Sequence, residues 1–103
     1  MSKYHSKKEM VDGITFASKK EARRYQELKL LERAKAIQDL KLQVAFPLIK
    51  KSINGREIKY IADFVYYEDG KLIVEDTKGY RTDVYKLKKR LVAELYGIKI
   101  RET

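Results

Sequence analysis

Residues 60–79 read YIADFVYYEDGKLIVEDTKG, and this stretch decides the fold. It divides into two strands, about 59–67 and 71–78, around Asp69-Gly70. Asp-Gly in a two-residue hairpin suits a type I′ turn, whose central residues both need positive φ. That turn sets Glu68 opposite Lys71, and counting back sets Asp63 opposite Asp76. Opposed residues of an antiparallel pair share a face, with Cβ atoms about 4.5–5.5 Å apart. Lys78 lies two residues beyond Asp76 and is expected on that same face. The expected product is two carboxylates and an ammonium on one side of a half-buried sheet. A one-residue slip would bring Glu75 to that face in place of Asp76.

Two acids this close repel each other unless something neutralises them. Mg2+ is suited to the task, since it favours carboxylate oxygens and keeps several waters. A neighbouring lysine can hold or deprotonate an attacking water, or stabilise charge on a phosphate. In a basic protein this combination points to metal-assisted phosphodiester hydrolysis. The same residues admit a plainer reading. Glu75, Asp76 and Lys78 would then be solvated residues at a strand end, with Asp63–Lys78 an ordinary ion pair. Against it stands the position of Asp63 inside a strand, where aspartate is disfavoured.

The composition bounds these readings. A chain of 103 residues is expected to form one domain, and 44% hydrophobic residues support a folded core. There is no cysteine, and the one histidine, His5, lies near the terminus. Disulfides are excluded, and a zinc centre built from Cys and His is not expected. No apolar run approaches the roughly 18 residues that span a bilayer, and no signal-peptide pattern opens the chain. The expected setting is soluble, intracellular and cytoplasmic. Lys+Arg number 24 against 15 Asp+Glu, a net charge of +9. That excess on a small domain is the electrostatic footprint of nucleic-acid binding.

Outward from the hairpin, Gln43 to Ile53 reads as a strand, with Pro47 favouring an edge or bulge. Asn54-Gly55 is a strong hairpin signal that returns the chain into the strand carrying Asp63. Residues 37–42 read as the exit from a helix. That helix begins at Ser18, where Ser18-Lys19-Lys20-Glu21 fits a capping box. Ala22, Tyr25, Leu28, Leu30 and Leu31 give it an apolar stripe, and Arg23, Arg24, Lys29 and Arg33 are expected on the outer side. Glu21 either caps the backbone or reaches the acidic cluster. Residues 10–16 carry Asp12-Gly13 and suit a small hairpin, and residues 1–9 form a basic arm ahead of a single domain, 10–103. On the other side, Thr82 caps a second helix, about 83–96, with Val84, Leu87, Leu91 and Leu95 on one face and Gly97 as its C-terminal cap. Residues 98–101 form a last strand, expected parallel to the strand before the helix. The fold class is α+β: a mixed, mainly antiparallel sheet of about four strands flanked by two helices.

The order of these parts resembles the PD-(D/E)XK nuclease superfamily, and within it a small phage-encoded family related to Holliday junction resolvases. The matching stretches are VDGITFASKKEARRYQELKLLE, IKYIADFVYYEDGKLIVEDTKG and RTDVYKLKKRL, which cover most of the chain. The resemblance implies a restriction-endonuclease-like core. It implies Asp63 as the first acidic metal ligand, Asp76 and Lys78 as the D/E-x-K pair, Glu21 as a helix ligand and Thr77 as a backbone-carbonyl ligand. Ala62 stands where the superfamily's name-giving proline would be. The implied activity is a Mg2+-dependent DNA endonuclease, with Mn2+ able to substitute. It would cut branched DNA as a homodimer, within a bacterial host if phage-encoded. A nicking or repair-type nuclease and a non-catalytic basic nucleic-acid-binding module are the alternatives. The helix after Lys78 supplies the expected DNA contacts Arg81, Lys86, Lys89 and Arg90. The first helix adds Arg23 and Arg24.

Overall fold

A computed structural model describes residues 7–51, 53–77 and 81–103. The chain opens with a small antiparallel hairpin, β1 (Glu9–Val11) and β2 (Ile14–Phe16). Helix α1 (Lys19–Arg33) follows, then strands β3 (Gln38–Ile49), β4 (Ile58–Glu68) and β5 (Lys71–Asp76). Helix α2 (Asp83–Tyr96) and strand β6 (Arg101–Glu102) complete it. The main sheet has the order β3-β4-β5-β6, antiparallel except for the parallel pair β5-β6. The α+β class read from the sequence is therefore the observed one.

The turn chemistry explains the register. Asp69 and Gly70 have φ of 51° and 75°, as a type I′ turn requires, and Glu68 pairs with Lys71. The ladder continues to Phe64 opposite Glu75, so one further step brings Asp63 level with Asp76. Asp12 and Gly13, at φ 53° and 77°, make the same turn between β1 and β2. Asn54-Gly55 behaves differently. Neither residue has positive φ, and pairing between β3 and β4 stops at Ile49 and Ile58. β3 and β4 still pair as a hairpin, with a register shift between Pro47 and Ile49 just before the last pair. Residues 38–42, read as a helix exit, are the first part of β3.

The helix ends follow their caps. Ser18 Oγ accepts the Glu21 amide at 3.1 Å, and Thr82 Oγ1 accepts the Tyr85 amide at 3.0 Å. Gly97, at φ 67°, closes α2. The faces depart from the expected stripes. On α2, Val84, Leu87 and Leu95 are 62%, 59% and 56% exposed, while Tyr85 and Val92 are buried. Tyr85 turns inward because its ring meets Tyr60 and its hydroxyl donates to Glu102 at 2.8 Å. On α1, Leu30 and Leu31 face outward, and Ala22, Tyr25 and Leu28 make the buried contact.

Two apolar clusters lie on opposite sides of the sheet. Phe16, Ala22, Tyr25, Leu28, Ile37, Phe64 and Tyr66 pack under α1. Leu48, Tyr60, Ala62, Val65, Val74, Tyr85, Val92 and Ile100 pack under α2. Residues two apart on a regular strand share a face. Yet Leu42 and Phe64 join the α1 cluster, whereas Val44 and Ala62 join the α2 cluster. Both strands thus change sides at one level, that of Gln43 and Asp63. Gln43 stands in the left-handed region at φ 53°, and its pair with Asp63 is missing from a register that is constant on either side of it from Lys41 to Pro47. One residue in αL rotates the strand there and frees Asp63 from the ladder. No helix among the described residues is long and apolar enough to cross a membrane.

Candidate active site

The kink decides where Asp63 goes. Its Oδ2 accepts the backbone N–H of Thr77 at 3.0 Å, and its Oδ1 lies 3.4 Å from Gln43 Nε2. The carboxylate therefore caps the end of the β4–β5 ladder, beside the peptide that follows Asp76. Asp76 is fully buried and faces the α2 side, where the Tyr60 hydroxyl donates to its Oδ2. Burial raises the Tyr60 pKa, and the hydrogen bond and charge of Asp76 raise it further, with a smaller push from Asp63. Tyr60 is thus a permanent donor that feels both acids. The two carboxylates meet at one end of the hairpin, but on either side of the ladder rather than on one flat face.

Glu75 and Asp76 are separated by role as well as by face. Glu75 is fully buried on the α1 side. It accepts Arg24 Nε at 2.6 Å and Arg24 Nη2 at 3.0 Å, a bidentate pair. The Tyr66 hydroxyl at 2.5 Å and Thr103 Oγ1 at 3.1 Å complete its shell. Burial pushes the Glu75 carboxyl upward, but the hydrogen bonds from Arg24 and Tyr66 outweigh it and hold the group below the ordinary carboxylate value. With its oxygens so occupied, Glu75 ties helix to sheet.

Glu21 is buried in the first turn of α1 and lines a cavity of about 380 Å3 together with Asp63 and Gln43. It stands on the Asp63 side, with its amide capped by Ser18. Lys78 lies outside the described residues, as do residues 1–6 of the basic arm. Arg24 is not on the outer side of α1 as expected; its guanidinium points inward to Glu75, with Glu27 also at 3.2 Å. Arg23 is exposed. Among the α2-side cations, Lys86 and Arg90 are exposed, but Arg81 and Lys89 pair with Glu102 at 3.1 and 3.3 Å. Hydrogen bonds from Arg81 and Tyr85 hold the Glu102 carboxyl down at about 2.

The candidate donors are oxygens only: Asp63 and Glu21 on one cavity, and Asp76 and the Thr77 carbonyl at the adjoining end of β5. That set suits a hard cation. Among the described residues no three Asp, Glu, His or Cys side chains group closely enough to hold an ion. A site of one or two carboxylates with several waters is nonetheless what Mg2+ takes, so the residues fit a water-rich ion and not a fully caged one.

Periodicity missed four contributors. Tyr60 and Tyr66 read as core aromatics, and only their hydroxyls on Asp76 and Glu75 reveal a second task. Glu102 and Thr103 lie past the last expected strand, yet the Thr103 amide donates to the Asp76 carbonyl at 3.0 Å. A buried acid needs donors, so the adjacent Glu75-Asp76 pair was the one signal that such partners exist. No curated protein and no solved structure matches the chain. A family profile matches residues 1–102, and on that extent the chain belongs to the family described as "Protein of unknown function (DUF1064)".

Proposed function

We propose that the chain is a Mg2+-dependent DNA endonuclease that hydrolyses phosphodiester bonds where β4 and β5 end. The observation that carries this reading is the Asp63 carboxylate seated on the Thr77 amide, beside Asp76, in a chain of net charge +9. Asp63, Asp76 and the Thr77 carbonyl would hold the ion, with Glu21 contributing from α1 and Mn2+ able to replace Mg2+. The ion would neutralise the paired acids and acidify a bound water. The chain's own residues prepare the site. Thr77 N–H and Gln43 orient Asp63, Tyr60 fixes Asp76, and Arg24 keeps Glu75 out of the ligand set. Lys78, two residues after Asp76 in sequence, would hold the attacking water or stabilise phosphate charge.

A domain this small has little room for a separate sequence-reading part. Selection of branched DNA by shape, with a homodimer cutting two strands, is the form we favour. The test is cleavage of a four-way junction, a duplex and a single strand side by side, with Mg2+ and with EDTA. Cleavage that EDTA abolishes supports the reading, and strongest cleavage of the junction supports its branch-selective form. Metal-independent binding with no cleavage of any substrate would favour a binding module, for which the Tyr60–Asp76 hydrogen bond would be purely structural.

A further inference from the structure

The cavity shared by Glu21 and Asp63 has a second wall that the hydrolytic chemistry does not use. Ile14, Phe16 and Leu42 make it mostly apolar, and Thr15 and Gln43 add a hydroxyl and an amide at its rim. Phe16 is buried and forms part of the floor, whereas Ile14 is partly exposed. At about 380 Å3 the cavity lies at the lower end of the range for small-ligand sites, roughly 300–1,000 Å3. It opens directly at Asp63, and therefore next to the phosphate that the proposed function places there. A nucleobase hangs from the sugar adjoining that phosphate. A stacked, paired base cannot enter such a cleft, but an unpaired one can.

We infer that this cavity receives an unpaired nucleobase next to the scissile phosphate, making DNA with an unstacked nucleotide the preferred substrate class. The inference rests on the endonuclease reading for the position of the phosphate. The apolar wall suits the face of a base, which binds without regard to sequence. The Gln43 amide, with both donor and acceptor, suits a base edge. Its present neighbour is Asp63 at 3.4 Å, a long contact that a better partner can replace. The β1–β2 hairpin acquires a purpose on this view, since Ile14 and Thr15 form the outer lip.

The experiment places 2-aminopurine as a single unpaired base in one duplex, and paired in an otherwise equal duplex. Both are titrated in EDTA, so that no strand is cut. The bulged duplex should bind about tenfold tighter, toward the low end of base-stacking contributions, with a saturable change in 2-aminopurine emission. Ile14→Asn, which adds no charge, should remove the emission change and the preference while leaving the paired duplex bound as before. Gln43→Asn, compatible with the αL backbone, should keep the fold and reduce the preference. Equal affinity for the two duplexes, or an emission change that neither variant alters, would overturn the inference. Because the readout is binding, it separates from the parent reading. A persistent preference without Mg2+-dependent cleavage sinks the endonuclease and keeps the base site, and cleavage without preference does the reverse.

Discussion

Replacing Glu75 by glutamine separates the two adjacent acids by experiment. In the native fold Glu75 is fully buried and takes hydrogen bonds from both arms of Arg24, from Tyr66 and from Thr103. Glutamine keeps one acceptor oxygen but turns an NH2 group toward donors. Arg24, with a side chain only 21% exposed, loses its main counter-charge and keeps only Glu27 at 3.2 Å. Removing one partner of a buried ion pair costs about 3–5 kcal/mol. For a domain of this size each kcal/mol lowers Tm by about 4–8 °C, so Glu75→Gln should lose roughly 12–40 °C. Total stability is about 5–15 kcal/mol, so this is a large share of it. Arg24→Met should cost a similar amount, and the double variant less than the sum, because the second change removes a charge already stranded. Urea unfolding of the four proteins gives the cycle, and cleavage is then measured per folded molecule in stabilising buffer. Cleavage should be unchanged in Glu75→Gln. A variant that melts within about 1 kcal/mol of the parent yet no longer cuts DNA would make Glu75 the metal ligand and refute the assignment.

Asp63→Asn and Asp76→Asn should each abolish cleavage while DNA binding holds or tightens, since each removes a negative charge near the phosphate; wild-type rates in either folded variant would refute the site. Glu21→Gln should lose activity at low Mg2+ and regain part of it at high Mg2+ or with Mn2+ if Glu21 is a ligand, which paired melts and rates on one sample would check. The Glu102 carboxyl is depressed from 4.5 to about 2, so its contribution is present above 4.5 and lost as pH falls toward 2. The stability gap between wild type and Glu102→Gln, read by urea melts, should therefore close across that acid window and stay constant above it. Each phosphate contact adds about 0.9 to the slope of log K against log salt on B-form duplex. Neutralising exposed Lys86 and Arg90 together should flatten that slope by up to about 1.8, and an unchanged slope would confine the DNA to the α1 side with Arg23.

The main hairpin and its register were legible because Asp69-Gly70 admits one turn type, and the period of two then fixes every pair. The caps were legible for the same local reason. The division of faces was not. Leu40, Leu42, Val44, Phe46 and Leu48 alternate without a break, so periodicity puts them on one side. The fold splits them at Gln43, a non-glycine residue in αL that no composition rule marks. On α1 the stripe held at Ala22, Tyr25 and Leu28 and broke only at Leu30 and Leu31, whereas the stripe of α2 failed. Hydropathy counts Tyr85 as an ambivalent residue, but its ring and hydroxyl both find partners inside, and that rotates the helix. Long-range ion pairs such as Arg24–Glu75, separated by 51 positions, lie beyond any local pattern.

The distribution of satisfied charges narrows where a polyanion can lie. Glu102 pairs beside Asp76 on β6 and holds Arg81, Lys89 and the Tyr85 hydroxyl, so two of the α2-side cations nearest the site are already engaged by one internal carboxylate. On the α1 side, Lys20 and Arg23 line a cavity of about 260 Å3 with Thr77 and Thr103, next to the Asp63 end of the hairpin. A second cavity, bearing Glu21 and Asp63, opens from the same first turns of α1. Both recesses adjoin the Asp63–Thr77 contact, and both are bounded by the helix that starts at Ser18. A strand crossing Asp63 would meet the exposed Arg23 on one side and an apolar cleft on the other. The approach over α2 would require Arg81 and Lys89 to leave Glu102 first. That exchange cancels part of the gain from each phosphate contact, since a charge-assisted hydrogen bond is broken for every one formed. On the endonuclease reading we propose, the first turns of α1 would therefore be the first track for DNA, with Lys86 and Arg90 extending it at a distance.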